Sequence, residues 1–168
     1  IHLDTKVTAV KGNTSALCLT YLKDDNETEK EFDRVIVAIG RKPNIDNLFS
    51  IDSGITLDES GRINVDDKCQ TSIPRVYAIG DCVRGPMLAH KGSEEGVMVA
   101  ELIAGDIAEV NYDIIPSVIY TSPEIAWTGK NEMELEEARV DYKIGLFPFA
   151  ASGRAKVMNQ SSGMVKII

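Results

Sequence analysis

Residues 76–96 hold the pattern with the most chemistry in it. Val76-Tyr77-Ala78-Ile79 is a short apolar run, Gly80-Asp81 follows at once, and Gly85-Pro86 precedes a stretch of helical character. A carboxylate just past the C-terminal end of a buried strand lies where open α/β sheets bind ligands. Asp81 is able to accept hydrogen bonds from sugar or polyol hydroxyls, and it repels phosphate because both are negative. The helix that follows presents backbone N–H groups at Met87, Leu88, Ala89 and His90, an end that attracts negative charge. Together these suit a ligand with a polyol and an electron-rich ring. A flavin has both: Asp81 would hold ribityl hydroxyls, and the helix end would stabilise charge that develops on the ring upon reduction. The same residues also make a plain strand–loop–helix unit with a capping Asp, and spacing alone leaves both readings open.

Other chemistries are poorly supplied. The three cysteines, Cys18, Cys69 and Cys82, are odd in number and show no CxxC spacing, which argues against a disulfide scaffold and against a zinc ribbon. They read as reduced, mostly packed thiols of a cytosolic protein. Cys82 follows Asp81 and invites a nucleophilic reading, but no His stands near it in sequence to activate it. His2 and His90 are the only histidines, so no His-rich metal site is expected. GxSxG, Walker, HExxH and GxGxxG patterns are all absent.

The elements that must position Asp81 read as follows. Thr5–Val10 alternates polar and apolar, Gly12-Asn13-Thr14-Ser15 is a turn, and Ala16–Leu22 is a second strand. Asp24–Glu29 reads as a charged turn, and Glu31–Ile39 completes a three-strand meander. Its Val35–Ile39 part is apolar throughout, as in a strand buried on both faces, and ends at Gly40. Residues 44–75 look irregular, with a turn at Asp58-Glu59-Ser60-Gly61 and a short strand at Arg62–Val65. Ala-Ile-Gly occurs at 38–40 and again at 78–80, each time as a buried strand ending in a Gly that permits close approach of a backbone or ligand. Pro86 suits a first helical position, the helix runs from about Met87 to Ala104, and Gly105 stops it. Gly92 and Gly96 lie four apart inside it, at a cost of roughly 1 kcal/mol each relative to Ala. They mark either a face pressed against a strand or ligand, or an imperfect helix. Beyond Tyr112, Ser117–Thr121 and Ile125–Thr128 read as extended. A short helix starts at Asn131 with Glu134 in the reciprocal capping position and ends near Arg139. Tyr142–Phe149 and Gly163–Ile168 read as strands, the whole suggesting an antiparallel sheet packed with a helix.

The 168 residues carry 18 Lys plus Arg against 26 Asp plus Glu, a net charge of −8, and 43% hydrophobic residues. That composition is globular and excludes collagen-like or disordered chains. The acidic balance argues against nucleic acid and against anionic membrane surfaces. No apolar run is long enough to span a membrane, and residues 1–30 show no signal-peptide pattern. The chain begins at Ile1-His2-Leu3 without Met and ends on the apolar run Met164–Ile168, so both ends look cut.

Three stretches resemble a known family: Asp33–Asn44, Val76–Asp81, and Gly85-Pro86-Met87-Leu88-Ala89-His90-Lys91. Pro116–Thr121, Phe147–Ala150 and Arg154-Ala155-Lys156 add to them. The chain is similar to the dihydrolipoamide dehydrogenases, a branch of the flavin disulfide reductases, closely over Asp33–Ile168 and loosely before that. The Met87–Lys91 segment separates it from glutathione and mercuric reductases, the alternative branches. Ser122 stands where the family usually has His, and Gly92 where Ala is common.

The resemblance implies a homodimeric flavoenzyme that oxidises protein-bound dihydrolipoamide on lipoyl domains and reduces NAD⁺, in the setting of 2-oxo acid dehydrogenase complexes. Asp81, Met87, Leu88, Ala89 and His90 would contact FAD, and Gly40 and Val7 would contact NAD. His90 is read through its backbone, not as a base. No metal, nucleic acid or membrane partner is implied, and the setting is cytoplasmic in a bacterium, or the mitochondrial matrix. The implied fold mixes α/β and α+β, with partial Rossmann-like FAD- and NAD-binding domains and the start of an α+β dimerisation domain. Residues 1–45 would be the tail of the NAD-binding domain, 46–115 the returning segment of the central FAD-binding domain, and 116–168 the first half of the interface domain. The family's Gly-rich FAD loop, paired redox cysteines, Gly-rich NAD loop and His–Glu base are not among these residues. The expectation is therefore an internal piece of a longer enzyme, without catalytic residues of its own and inactive alone. The competing expectation is a non-catalytic dimerisation or interaction fragment.

Overall fold

In the computed structural model, residues 1–12 and 16–168 are described. The turn expected over Gly12-Asn13-Thr14-Ser15 falls mainly on residues 13–15, outside the described residues. The chain divides into two compact units, Ile1–Arg41 and Lys42–Ile168.

The first unit is an antiparallel meander of β1 (Thr5–Gly12), β2 (Leu17–Lys23) and β3 (Asn26–Phe32), with β2 in the middle. Two residues, Asp24 and Asp25, turn the chain from β2 to β3, both with positive φ (49° and 59°). That geometry matches the twist of the flanking strands, and Asp tolerates it because its short polar side chain bonds locally. The charged turn expected over Asp24–Glu29 is thus only two residues long. Its remainder begins β3, whose seven residues are all exposed. Charges on an edge strand discourage further pairing, which is why Glu27, Glu29, Lys30 and Glu31 mimic a loop in the sequence. Within β1 the register slips between Val7 and Ala9, leaving Thr8 as the extra residue of a bulge; its hydroxyl donates to the Thr20 carbonyl (3.2 Å).

Val35–Ile39 corrects the sequence reading. It is not part of any strand, and Ile36, Val37 and Ile39 are 89%, 75% and 94% exposed. Apolar side chains prepare a segment for burial, but a strand also requires neighbours for its N–H and C=O groups. Among the described residues none pairs with it.

The second unit begins with irregular chain held by local bonds. Asp58 Oδ1 accepts from the N–H groups of Ser60 and Arg62 (2.8 Å each), and Asp66 Oδ1 from those of Lys68 and Gln70 (2.9 Å each). The expected turn at Asp58–Gly61 is present, closed by Gly61 N–H to Asp58 O (3.0 Å). The short strand expected over Arg62–Val65 is reduced to single bridges, Leu57 with Ile63 and Val65 with Thr71. Val76–Ile79 likewise makes one bridge, Gln70 with Tyr77, and is not the buried strand expected. Its single-sided support leaves Val76 and Ile79 exposed. Ile63, Cys69, Val83 and Met98 are the buried apolar residues here.

Helix α1 spans Ala89–Ala104 and ends as expected at Gly105, whose φ of 96° is left-handed. Gly105 N–H donates to Leu102 O (3.1 Å) and Asp106 N–H to Glu101 O (3.0 Å), satisfying the last carbonyls. Its start differs from expectation. Leu88 is the extended N-cap and donates its own N–H to Pro86 O (3.0 Å), so Pro86 and Met87 precede the helix. After it come the hairpin of β4 (Ser117–Ile119) and β5 (Ile125–Trp127), helix α2 (Glu132–Glu137), and the hairpin of β6 (Gly145–Pro148) and β7 (Met164–Ile167). Helix α3 (Gly153–Val157), which the sequence reading missed, sits between β6 and β7. The capping box of Asn131 and Glu134 is present with both bonds. The single antiparallel sheet expected here is instead two separate hairpins, because neither finds a strand from the other to extend its ladder.

The glycines of α1 do mark a close approach. Gly96→Ala would set its Cβ 3.4 Å from Ile79 Cδ1, a movable side-chain end, and is expected to raise stability by about 0.5–1 kcal/mol through helix propensity. Gly92→Ala gains the same propensity but sets its Cβ 3.1 Å from the Gly80 Cα, which is backbone, so its net gain is expected to be smaller. Urea midpoints of the two variants check the order; equal gains would mean that α1 and the Gly80 turn are not in tight contact.

Candidate functional site

The site is built on the passage from Val76–Ile79 into α1. Ile79 is extended, and Gly80–Cys82 forms a single 3₁₀ turn that opens with Gly80 at φ 76°, a left-handed conformation that favours glycine. A Cβ at Gly80 would meet only ordinary contact at 3.9 Å, so the conformation and not crowding demands glycine there. Ile63 N–H donates to Cys82 O (2.8 Å), and Val83 is fully buried beneath the turn. Asp81 is exposed at its tip.

Behind the turn lies a buried ionic network. Lys91 and Glu95, one helical turn apart on α1, are both 0% exposed and 3.1 Å apart. Lys91 Nζ donates to Gly80 O (2.9 Å), and Gly80 N–H donates to Glu95 Oε2 (2.7 Å). Tyr112 O–H donates to Glu95 Oε1 (2.8 Å). The Glu95 carboxylate thus accepts from Gly80, Lys91 and Tyr112, which is the degree of satisfaction a buried charge needs. Removing one member of such a pair costs about 3–5 kcal/mol, because the other charge stays behind uncompensated. Burial and the bond to Glu95 push the Tyr112 phenol well above its ordinary range. The Arg84 guanidinium stacks over the Tyr112 ring at 5.1 Å.

The expected site residues divide between the two units. Asp81, Met87, Leu88, Ala89 and His90 lie within a few residues of one another around the 3₁₀ turn and the start of α1. Met87 and Leu88 are half-buried, and Ala89 and His90 are exposed. The N–H groups that precede the first helical bond, Gly92 N–H to Leu88 O, are those of Ala89, His90 and Lys91. Of the expected set of Met87 to His90, Ala89 and His90 remain and Lys91 joins them; Met87 precedes the N-cap, and Leu88 N–H is engaged with Pro86 O. His90 Nε2 donates to Pro116 O (2.8 Å); a carbonyl only accepts, so that nitrogen carries the proton. Gly40 and Val7 belong to the first unit. Gly40 has φ 112° with nothing within 4 Å of a Cβ, and Val7 is exposed beside the β1 bulge, paired with Tyr21.

Sequence reasoning missed Glu95 and Tyr112, and quoted Lys91 only within a motif. The available signal was Lys-x-x-x-Glu on the same helix as two glycines; such pairs usually lie on solvated faces, which masks this one. Cys82 Sγ donates to Ile79 O (3.2 Å), which gives no sign of an activated nucleophile. All three cysteines are free, and among the described residues no cluster could hold a metal ion.

Comparison with known proteins decides the family. Residues 1–96 match the model of the pyridine nucleotide-disulphide oxidoreductases, and residues 115–168 match the dimerisation domain of the same group. The chain belongs to the pyridine nucleotide-disulphide oxidoreductase family. It is 47% identical over 167 residues to a dihydrolipoyl dehydrogenase of Cupriavidus necator, covering 99% of this chain and 35% of that protein. With the human mitochondrial dihydrolipoyl dehydrogenase it is 52% identical over 136 residues, 81% of this chain and 27% of that protein. The chain thus spans about a third of the length of the curated relatives it matches. The solved structure of LpdA from Mycobacterium tuberculosis has the same fold, at a TM-score of 0.86, 24% identity, and coverage of 97% of this chain and 35% of that one. The HOCl-induced flavoprotein disulfide reductase RclA of Escherichia coli, in its Cu(II) complex, aligns at a TM-score of 0.79 and 23% identity over 95% of this chain and 36% of that one. No helix among the described residues is long and apolar enough to cross a membrane.

Burial raises the Cys69 thiol above its ordinary pKa, with Glu95 adding to the effect and Tyr112 and Arg84 opposing it. A raised pKa means less thiolate at any pH below it. Ellman's reagent at pH 8 is therefore expected to label Cys18 and Cys82 at least about tenfold faster than Cys69. Equal rates for all three thiols in the native protein would contradict the buried placement.

Proposed function

We propose that this chain is the part of a dihydrolipoyl dehydrogenase that holds the ribityl and ring side of FAD and opens the dimerisation domain. The observation that supports it most is the 47% identity over 99% of this chain to a protein of that name. The geometry suits the group: an exposed carboxylate and a helix N-terminus stand on either side of one short loop. Asp81 would accept from ribityl hydroxyls. The N–H groups of Ala89, His90 and Lys91 would face the part of the ring where negative charge gathers on reduction. Met87 and Leu88 would pack along its edge, and Gly40 and Val7 would contact NAD.

FAD, when bound, would supply the two-electron relay between dihydrolipoamide, which becomes a disulfide, and NAD⁺, which becomes NADH with one proton left to solvent. Everything this chain supplies to that reaction is positional and electrostatic, since none of its cysteines pairs at the four-residue spacing that a thiol relay uses. We assign residues 1–45 to the tail of the NAD-binding domain, 46–115 to the returning part of the FAD-binding domain and 116–168 to the first half of the interface domain. The partners of the whole protein would be lipoyl domains of a 2-oxo acid dehydrogenase complex and a second copy of itself. Its setting would be a bacterial cytoplasm or a mitochondrial matrix.

Two measurements test the reading. The 168-residue polypeptide by itself is expected to show no micromolar FAD binding in a fluorescence titration, and no lipoamide-dependent NADH formation. NADH formation would overturn its assignment as a part without turnover, and micromolar FAD binding would overturn its dependence on a further part of the flavin site. In the intact protein, Asp81→Ala is expected to weaken FAD binding by about 10–100-fold, the worth of a charged hydrogen bond; unchanged affinity would remove Asp81 from the flavin site.

A further inference from the structure

The side chains of Lys91 and Glu95 have no place in the chemistry assigned above, yet they are the most completely buried charged groups described. Their bonds converge on one residue, Gly80. Lys91 takes the Gly80 carbonyl at 2.9 Å, and Glu95 takes the Gly80 N–H at 2.7 Å. Gly80 is the residue immediately before Asp81, and it stands in a left-handed conformation. Tyr112, from the loop beyond α1, locks the other carboxylate oxygen at 2.8 Å. On the helix side, Gly92 allows the Gly80 backbone to lie against α1 so closely that a Cβ would be 3.1 Å from it.

We propose that Lys91 and Glu95, braced by Tyr112, are positioning residues: they grip Gly80 by both its donor and its acceptor and thereby fix Asp81 relative to the N-terminus of α1. The physical argument is one of degrees of freedom. A single hydrogen bond leaves a turn free to pivot, whereas bonds to both polar groups of one residue, made by two side chains on a rigid helix, remove that freedom. The distance between a carboxylate and a helix end is what a ligand with a polyol at one end and an electron-accepting ring at the other must match. The proposal rests on the flavin reading above. It adds to that reading the elements that keep its two halves in register.

The test uses the intact flavoenzyme that contains this chain. Lys91→Met frees the Gly80 carbonyl, and Tyr112→Phe keeps the ring and the ion pair while loosening Glu95. The dissociation constant for FAD is expected to rise about tenfold or more in Lys91→Met and about threefold in Tyr112→Phe. With FAD saturating, the flavin midpoint of Lys91→Met is expected to fall below that of the wild type, because the helix end no longer faces the same atoms of the reduced ring. Loss of stability alone leaves that midpoint unchanged. Should Lys91→Met not fold, Tyr112→Phe carries the same measurements. A flavin-loaded wild type whose folded variants keep its FAD affinity and midpoint overturns the positioning role alone. A wild-type protein that binds no FAD overturns the flavin reading and this proposal together.

Discussion

A buried ammonium and a buried carboxylate one turn apart on α1 constrain the structure around the candidate site. Charges withdrawn from water are tolerated only where every donor and acceptor is met. Here the missing partners are supplied by the two polar groups of Gly80 and by the Tyr112 hydroxyl. That requirement draws the end of the Val76–Ile79 segment onto the helix face. It also explains why glycine at 92 and left-handed glycine at 80 occur together: the close approach leaves little space for a Cβ at 92, and the positive φ at 80 disfavours any L side chain.

The consequence for the site is that the exposed Asp81 rests on an inflexible support. Ligand recognition by one carboxylate and one helix end is weak in itself, since each contributes only a few hydrogen bonds. Its selectivity depends on how firmly the two are held at a set separation. Buried groups behind a site therefore matter as much as the groups in front of it. The His90 bond to Pro116 plays a similar part, joining the first turn of α1 to the stretch that leads into β4.

Much of this was legible from the residues. The Gly105 stop, the Asn131–Glu134 capping box and the first two strands follow from local chemistry, in which a side chain bonds its own neighbourhood. The apolar runs Val35–Ile39 and Val76–Ile79 misled for the converse reason. Their composition describes an environment, buried on both faces, which the strand itself does not create. Charged β3 misled in the opposite direction, because an edge strand meets water on its open side and is written in loop-like residues. The Lys91–Glu95 pair was invisible because its spacing is common on solvated helix faces.

The amino-acid sequence by itself determined the family, the loop that carries Asp81 and the end of α1. Those properties reside in short segments or in identities that persist from one relative to another. Only the tertiary structure decided that Lys91 and Glu95 point inward, that Leu88 N–H is taken by Pro86, and that the apolar segments lack ladder partners. Each of these depends on which distant backbone group arrives within hydrogen-bond reach, and no local pattern of side chains specifies that.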